Sequence, residues 1–328
     1  MKLMKKDIQP NEIVTTFFAL DSMEIRKSKN MNYYLILNLS DKTGNIKGYL
    51  WTDPIETSAL LKERTFVKVR GIAKLINDSP VLEIEKIRTA EKAEVDIREF
   101  LEVVPGGIDF WHKKLLESTS QITDLNCKQV LDAFLKDEGF LELFITSPAG
   151  KTFHHNYIGG LLEHTAGVMS QAALIADQNP ALLDKDLLLT GAFLHDIGKT
   201  REIYWEIARE YTVEGKLLGH ISIGVSLLEE KLAIMEKFPK DLALQLKHMI
   251  LSHHGELELG SPVRPTTPEA IVLHLIDNTD AKISHLYCHL KNSNPDDEWS
   301  PYDKFLNRDI YQRKFIKKEI APKKEVAA

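Results

Sequence analysis

Through the first quarter of the chain, apolar and polar residues alternate with the period of two that a half-buried strand requires. Tyr33-Tyr34-Leu35-Ile36-Leu37-Asn38-Leu39 puts Leu35, Leu37 and Leu39 on one face. Asp41-Lys42-Thr43-Gly44-Asn45 supplies a turn, and Ile46–Trp51 returns as the next strand. Pro54–Glu63 opens on proline and carries Leu60 and Leu61, which predicts a short helix. Thr65–Leu75 and Val81–Arg88 read as two more strands, and Ile13–Lys27 as the first of five.

Three strands, a helix and two strands is the order of an OB-fold barrel, a common binder of single-stranded nucleic acid. If Ile46, Gly48 and Leu50 point inward, Lys47, Tyr49 and Trp51 point out. With Val67 and Val69 inward, Lys68 and Arg70 point out. Rings interleaved with cations suit a single strand, because bases stack on the rings and phosphates meet the charges. The plainer reading is that Tyr49 and Trp51 close the barrel or cover a second domain.

From about Ile97 the period changes to that of a helix and, after Pro105-Gly106-Gly107, it dominates to the end. Ile108–Ser118, Cys127–Asp137 and Phe140–Thr146 are predicted helices. Another enters at Gly159-Gly160 and continues to Ala176, and Leu187–His195 is apolar almost all round, hence central to a bundle. The fold class is therefore multidomain β plus α. Residues 1–95 form the barrel, 96–150 a helical linker region, 151–315 an all-α domain and 316–328 a basic tail. The tail beyond Asn307 is read as a frayed helix followed by disorder.

Composition adds bounds. The 328 residues are 43% hydrophobic and 27% charged, as in an ordinary globular protein, and no apolar run approaches a membrane span. The N-terminus lacks the apolar core of a secretory signal. Cys127 and Cys288 suit neither a redox pair nor a zinc knot, so a reducing cytoplasmic setting is expected. The net charge of −6 is uneven: Met1–Val95 holds 16 basic and 13 acidic residues, +3, which leaves −9 for the rest. No heptad announces a homo-oligomer, although assembly remains open.

Leu194-His195-Asp196-Ile197-Gly198-Lys199 places an imidazole and a carboxylate beside the most apolar helix. An interior keeps such groups when something pairs with them, and a divalent cation takes these nitrogen and oxygen donors. Further donors follow the same chemistry: His164 upstream, then His220, His253, His254 and Asp277. A shell of imidazole and carboxylate suits manganese, iron, cobalt or zinc. Lys199, four residues past His195 and read as lying on the same helix face, is placed to touch a phosphoryl oxygen. Its alternative role is to complement a helix end. Asp280 and His274 share a face with Asp277 and are candidates to orient ligands, as is Glu163 beside His164. His112, His285 and His289 are read as structural or surface residues.

The ordered series resembles the HD superfamily of metal-dependent phosphohydrolases, named for a pair like His195-Asp196. The resemblance implies that His164, His195, Asp196 and Asp277 hold one metal. It further implies that His220 and His253, with His254 joining, hold a second metal bridged by the aspartate. With the barrel and the run His154-His155…Gly159-Gly160-Leu161-Leu162-Glu163-His164-Thr165, the chain resembles the YhaM-type 3′→5′ exoribonucleases from about Ile13 to Phe315. That likeness implies manganese, single-stranded RNA as substrate, nucleoside 5′-monophosphates as products and attack by a metal-bound hydroxide. Asp196, Lys199 and His155 are the expected catalytic residues. Single-stranded DNA is a second expected substrate, since no reader of the 2′-hydroxyl is evident. Two rivals follow from the same residues. One is an HD phosphohydrolase of nucleotides or cyclic dinucleotides with a regulatory barrel, and the other is an RNA-binding protein with a structural metal.

Overall fold

Strand β1 (Ile13–Lys27) is long enough to serve two neighbours, and this closes the barrel. Its first half pairs antiparallel with β4 (Thr65–Ile76) and its second half with β2 (Tyr33–Asp41), with a register shift between Leu20 and Ser22. A bulge of this kind bends the strand and increases its twist, as a barrel corner requires. In the computed structural model, β3 (Gly44–Leu50) then pairs with β2, and β5 (Ser79–Thr89) lies between β3 and β4. The β3–β5 pairing is parallel. Helix α1 (Pro54–Leu60) joins β3 to β4. A closed five-stranded barrel in the order β1-β2-β3-β5-β4, with a helix after the third strand, is the OB topology. Leu35, Leu37, Leu39, Val67, Val69 and Leu82 are fully buried inside it.

The structure describes residues 4–63, 65–76, 79–96, 100, 103–150, 157–204 and 210–312. The chain divides into two compact units, Met1–Glu102 with Tyr204–Glu210, and Val103–Ile203 with Tyr211–Ala328. The second is helical: α2 (Ile108–Thr119), α3 (Leu125–Leu135), α4 (Glu138–Thr146), α5 (Gly160–Gln178), α6 (Lys185–Leu194), α7 (Lys199–Glu202), α8 (Val213–Leu232), α9 (Lys240–Ser252) and α10 (Pro268–Lys291). Side chains at Asp124, Asp137, Asp184, Thr212 and Thr267 cap α3, α4, α6, α8 and α10 by accepting from backbone N–H groups of the first turn. One apolar core runs through the unit. Phe134 and Phe144 meet Phe193 of α6, every residue of which from Leu187 to Leu194 is buried.

Two expectations are corrected. Helix α6 stops at Leu194, and Lys199 opens the separate helix α7, so it does not share a helix face with His195. Residues 308–312 are not a fraying helix: Arg308 and Tyr311 form bridges back to Asp303 and Trp299. The tail 316–328 lies outside the described residues. Among the described residues, no helix is long and apolar enough to cross a membrane.

Candidate functional site

Two helices of the second unit end in the same way. His195 is the C-cap of α6 and His253 the C-cap of α9. Each ring meets the carbonyl three residues back through Nδ1, at 2.7 Å from Ala192 O and 2.7 Å from Ile250 O. A carbonyl only accepts, so Nδ1 donates and Nε2 keeps its lone pair. His254 Nδ1 likewise lies 2.9 Å from Leu259 O. His164 on α5 and His220 on α8 reach carboxylates instead, Asp280 Oδ2 at 2.7 Å and Glu202 Oε1 at 3.1 Å. All five imidazoles are therefore oriented through Nδ1, and Nε2 is the atom left to bind.

Those Nε2 atoms gather around Asp196. His164 Nε2 is 3.1 Å from His195 Nε2, 3.2 Å from Asp277 Oδ1 and 3.4 Å from Asp196 Oδ2. His195 Nε2 is 3.4 Å from the same Asp196 oxygen. Two lone pairs this close repel unless positive charge lies between them. With bonds of about 2.1 Å to one cation, adjacent ligand atoms lie roughly 3.0–3.4 Å apart. The observed spacing fits that geometry. The other oxygen, Asp196 Oδ1, is 3.6 Å from both His220 Nε2 and His253 Nε2. These three atoms are buried with no hydrogen-bond partner, and His254 joins the two histidines within ligating distance. Buried polar atoms are seldom left unpaired, so this is a second group that could hold a cation. Asp196 thus turns one oxygen to each group.

The electrostatics agree. Asp196, Asp277, Asp280 and Glu202 supply four carboxylates, and Lys199 supplies one ammonium, 2.6 Å from Asp196 Oδ2. Burial works against a charged His164, but the Asp196, Asp277 and Asp280 carboxylates that accept hydrogen bonds from its ring outweigh it and push its pKa well above the ordinary value. Burial likewise opposes ionised Asp196, yet Lys199 and His195 hold its carboxyl well below the usual range. The field favours positive charge where the first group of Nε2 atoms points. At the second group, burial and neighbouring His253 push His254 down to about 4, which keeps it a neutral donor.

Asp280 therefore orients the candidate ligand His164, and its other oxygen accepts from Gln171 Nε2 at 3.3 Å. His274 holds the turn after α9 by bonding His253 O at 2.9 Å, and its ring packs on Gly255. Glu163 accepts from the Tyr157 hydroxyl. His285 and His289 pair with Asp303 at 2.6 and 3.1 Å, away from the ligand set. His154 and His155 lie outside the described residues. Glu202 is a supporting residue that the sequence reading missed. Its only local signal is an acid three residues past Lys199.

In the barrel, Lys47, Tyr49 and Trp51 face outward from and just beyond β3, and Tyr34 of β2 joins them. Tyr34 stacks on Trp51 at 4.6 Å between ring centroids and lies 6.3 Å from Tyr49. The three rings line a cavity of about 340 Å³ with Lys74 and Ser28. Tyr34 was also missed, although its alternation with buried Leu35 was visible in the sequence. Lys68 and Arg70 line a different cavity of about 470 Å³ and are paired with Glu94 at 4.0 Å and Glu85 at 3.4 Å. The predicted rings and these β4 cations thus line separate cavities of the barrel.

The HD domain family matches residues 161–282, the span that contains the candidate ligands from His164 to Asp277. The barrel is similar to the second OB-fold domain of replication protein A from Methanococcus maripaludis. That likeness covers 28% of this chain and 97% of that one at 22% identity and a TM-score of 0.24, too slight to add to what the strand order already shows. The 3′-5′ exoribonuclease YhaM of Bacillus velezensis is 34% identical over 316 residues, covering 95% of this chain and 99% of that protein. YhaM of Bacillus subtilis is 33% identical over 318 residues, covering 96% and 100%. By identity of about a third over 95% of its length, the chain belongs to the YhaM family of 3′-5′ exoribonucleases.

Proposed function

We propose that the protein is a metal-dependent 3′→5′ exoribonuclease that hydrolyses single-stranded RNA to nucleoside 5′-monophosphates. The observation that carries this reading is the division of Asp196 between two clusters of inward-facing Nε2 atoms. His164, His195, Asp196 and Asp277 would hold one divalent cation, and Asp196, His220, His253 and His254 a second. Manganese is the proposed ion, and the same donors accept iron, cobalt or zinc. When bound, such ions supply Lewis acidity toward phosphate and water.

The chain's own groups do the rest. Asp280 and Glu202 fix the rings of His164 and His220, so that ligand geometry is set before substrate arrives. Lys199, held at the centre by Asp196, places an ammonium where a phosphoryl oxygen gains charge in an in-line displacement. His155 is assigned to the leaving oxygen or the terminal nucleotide. In the barrel, Tyr34, Tyr49 and Trp51 stack successive bases, with Lys47, Lys68 and Arg70 meeting phosphates along the strand. Stacking is indifferent to the sugar, so single-stranded DNA is proposed as a second substrate. The proposed working compartment is the cytoplasm.

The test is a timed digestion of 5′-labelled single-stranded RNA with manganese, beside Asp196→Ala. A ladder shortening from the 3′ end in the wild type alone supports the reading. Intact RNA, with hydrolysis of a nucleotide or cyclic dinucleotide by the wild type, would replace it with a phosphohydrolase carrying a regulatory barrel.

A further inference from the structure

Helix α8 is interrupted one residue before His220. Gly219 has φ +70° and ψ 157°, far from helical values, so the chain re-enters the helix at His220. The N–H groups of a new helical segment lack intrahelical acceptors. Glu202 meets this need from α7, where it is buried: its Oε1 accepts from the His220 backbone N–H at 3.0 Å and from the ring Nδ1 at 3.1 Å. One carboxylate oxygen thus fixes both the backbone and the imidazole of a single residue.

Of the five imidazoles in the site, two are backed by a carboxylate and three by a backbone carbonyl. The two backed by carboxylates fall one to each cluster, His164 with Asp280 and His220 with Glu202. An ionised acceptor on Nδ1–H makes Nε2 a more basic donor than a carbonyl does, and removing such a partner typically weakens metal binding about 10–100-fold. Among the described residues, the second cluster has no carboxylate of its own beyond the shared Asp196.

We infer that Glu202 is a positioning residue that sets the affinity of the second cation position, so that without its charge the chain holds one ion firmly rather than two. This rests on the two-cation reading of the site.

The measurement is manganese binding to the full chain, with free Mn²⁺ counted by electron paramagnetic resonance, for wild type, Glu202→Gln and Glu202→Asp. Gln retains an oxygen that can accept from both His220 donors, so the cap survives while the charge is lost. Asp retains the charge but withdraws it from Nδ1. The wild type is expected to bind two ions per chain. Both variants should keep the tighter one within twofold and lose about 10–100-fold at the weaker one. Two unchanged affinities in both variants, with or without a lower melting temperature, would make Glu202 a cap only and overturn the inference. A wild type that binds one ion, with stoichiometry unaffected by His220→Ala, would instead sink the two-cation reading beneath it.

Discussion

Gly198 is where the two clusters are brought together, and a single methyl group there should separate them. A Cβ built on Gly198 lies 1.9 Å from His220 O and 2.7 Å from Gly224 N. Both obstacles are backbone of α8, so no side chain can swing aside. Ordinary contact begins at 3.4 Å, so α7 and α8 must part by about 1.5 Å. Asp196 lies two residues before Gly198, and its Oδ1 is 3.6 Å from His220 Nε2. If the parting is transmitted, that gap approaches roughly 5 Å, whereas two ligands on one cation at about 2.1 Å each span at most about 4.2 Å. Gly198→Ala should therefore lose the second ion, cost about 1–3 kcal/mol by overpacking and slow RNA digestion on the order of 100-fold. The assays are thermal unfolding, manganese stoichiometry and timed 3′ digestion. A variant with wild-type melting temperature, two bound ions and wild-type rate would show that the α7–α8 contact does not hold the site together.

Three further outcomes are expected. Asp280→Asn removes the charge 2.7 Å from His164 Nδ1 and should weaken manganese binding at the tighter position about 10–100-fold in an equilibrium titration, leaving RNA affinity unchanged. Trp51→Ala and Tyr34→Ala should each raise the KM for a long single strand by the loss of about 1–3 kcal/mol per stacked base, with manganese stoichiometry still two. Unchanged KM in both would return the rings to a purely structural role. Asp137→Asn tests stability away from the site. Lys231, 2.6 Å away, and the Phe140 N–H hold the Asp137 carboxyl below its ordinary value, so its contribution is present above that value and fades as pH falls through the depressed one. Because the Asp137 side chain is nearly half exposed, the variant should lose under about 1 kcal/mol at pH 7, and the difference from wild type should vanish on acidification in a pH series of melting curves.

What could be read from the sequence was local. Alternation placed β2 and β3, because burial of Leu35, Leu37, Leu39, Ile46 and Leu50 follows from period two alone. Neighbouring donors at the ends of apolar helices marked His195-Asp196 and His253-His254. What stayed hidden or was misplaced depended on contacts far along the chain. Lys68 and Arg70 alternate correctly, yet acids on and just after β5 pair with both, an arrangement set by the β4–β5 ladder and its irregularity between Arg70 and Gly71. Glu202 acts on a residue 18 positions away across an interrupted helix. Lys199 was placed on the helix of His195 because a spacing of four ordinarily means one face. After the C-cap the chain instead tightens into turns bonded three residues apart, Ile197 N–H to Leu194 O and Lys199 N–H to Asp196 O, and Lys199 reaches Asp196 from the next helix.

That tightening at the helix end explains why the donors come in consecutive pairs. On a continuing helix, residues i and i+1 point about 100° apart and cannot serve one site. At the C-caps of α6 and α9 the chain turns, so the residue after each histidine can be aimed independently. Asp196 then faces both clusters, and His254 joins His253 and His220. The end of a helix also carries about half a unit of negative charge on its unpaired carbonyls, which favours a nearby cation by roughly 0.3–1 kcal/mol. The Ala192 and Ile250 carbonyls are spent on orienting His195 and His253, so the same helix ends that attract the ions also fix the rings that would bind them. A histidine moved one turn back into either helix would keep its residue type and its burial, but lose the turn, the neighbouring donor and the end of the dipole together.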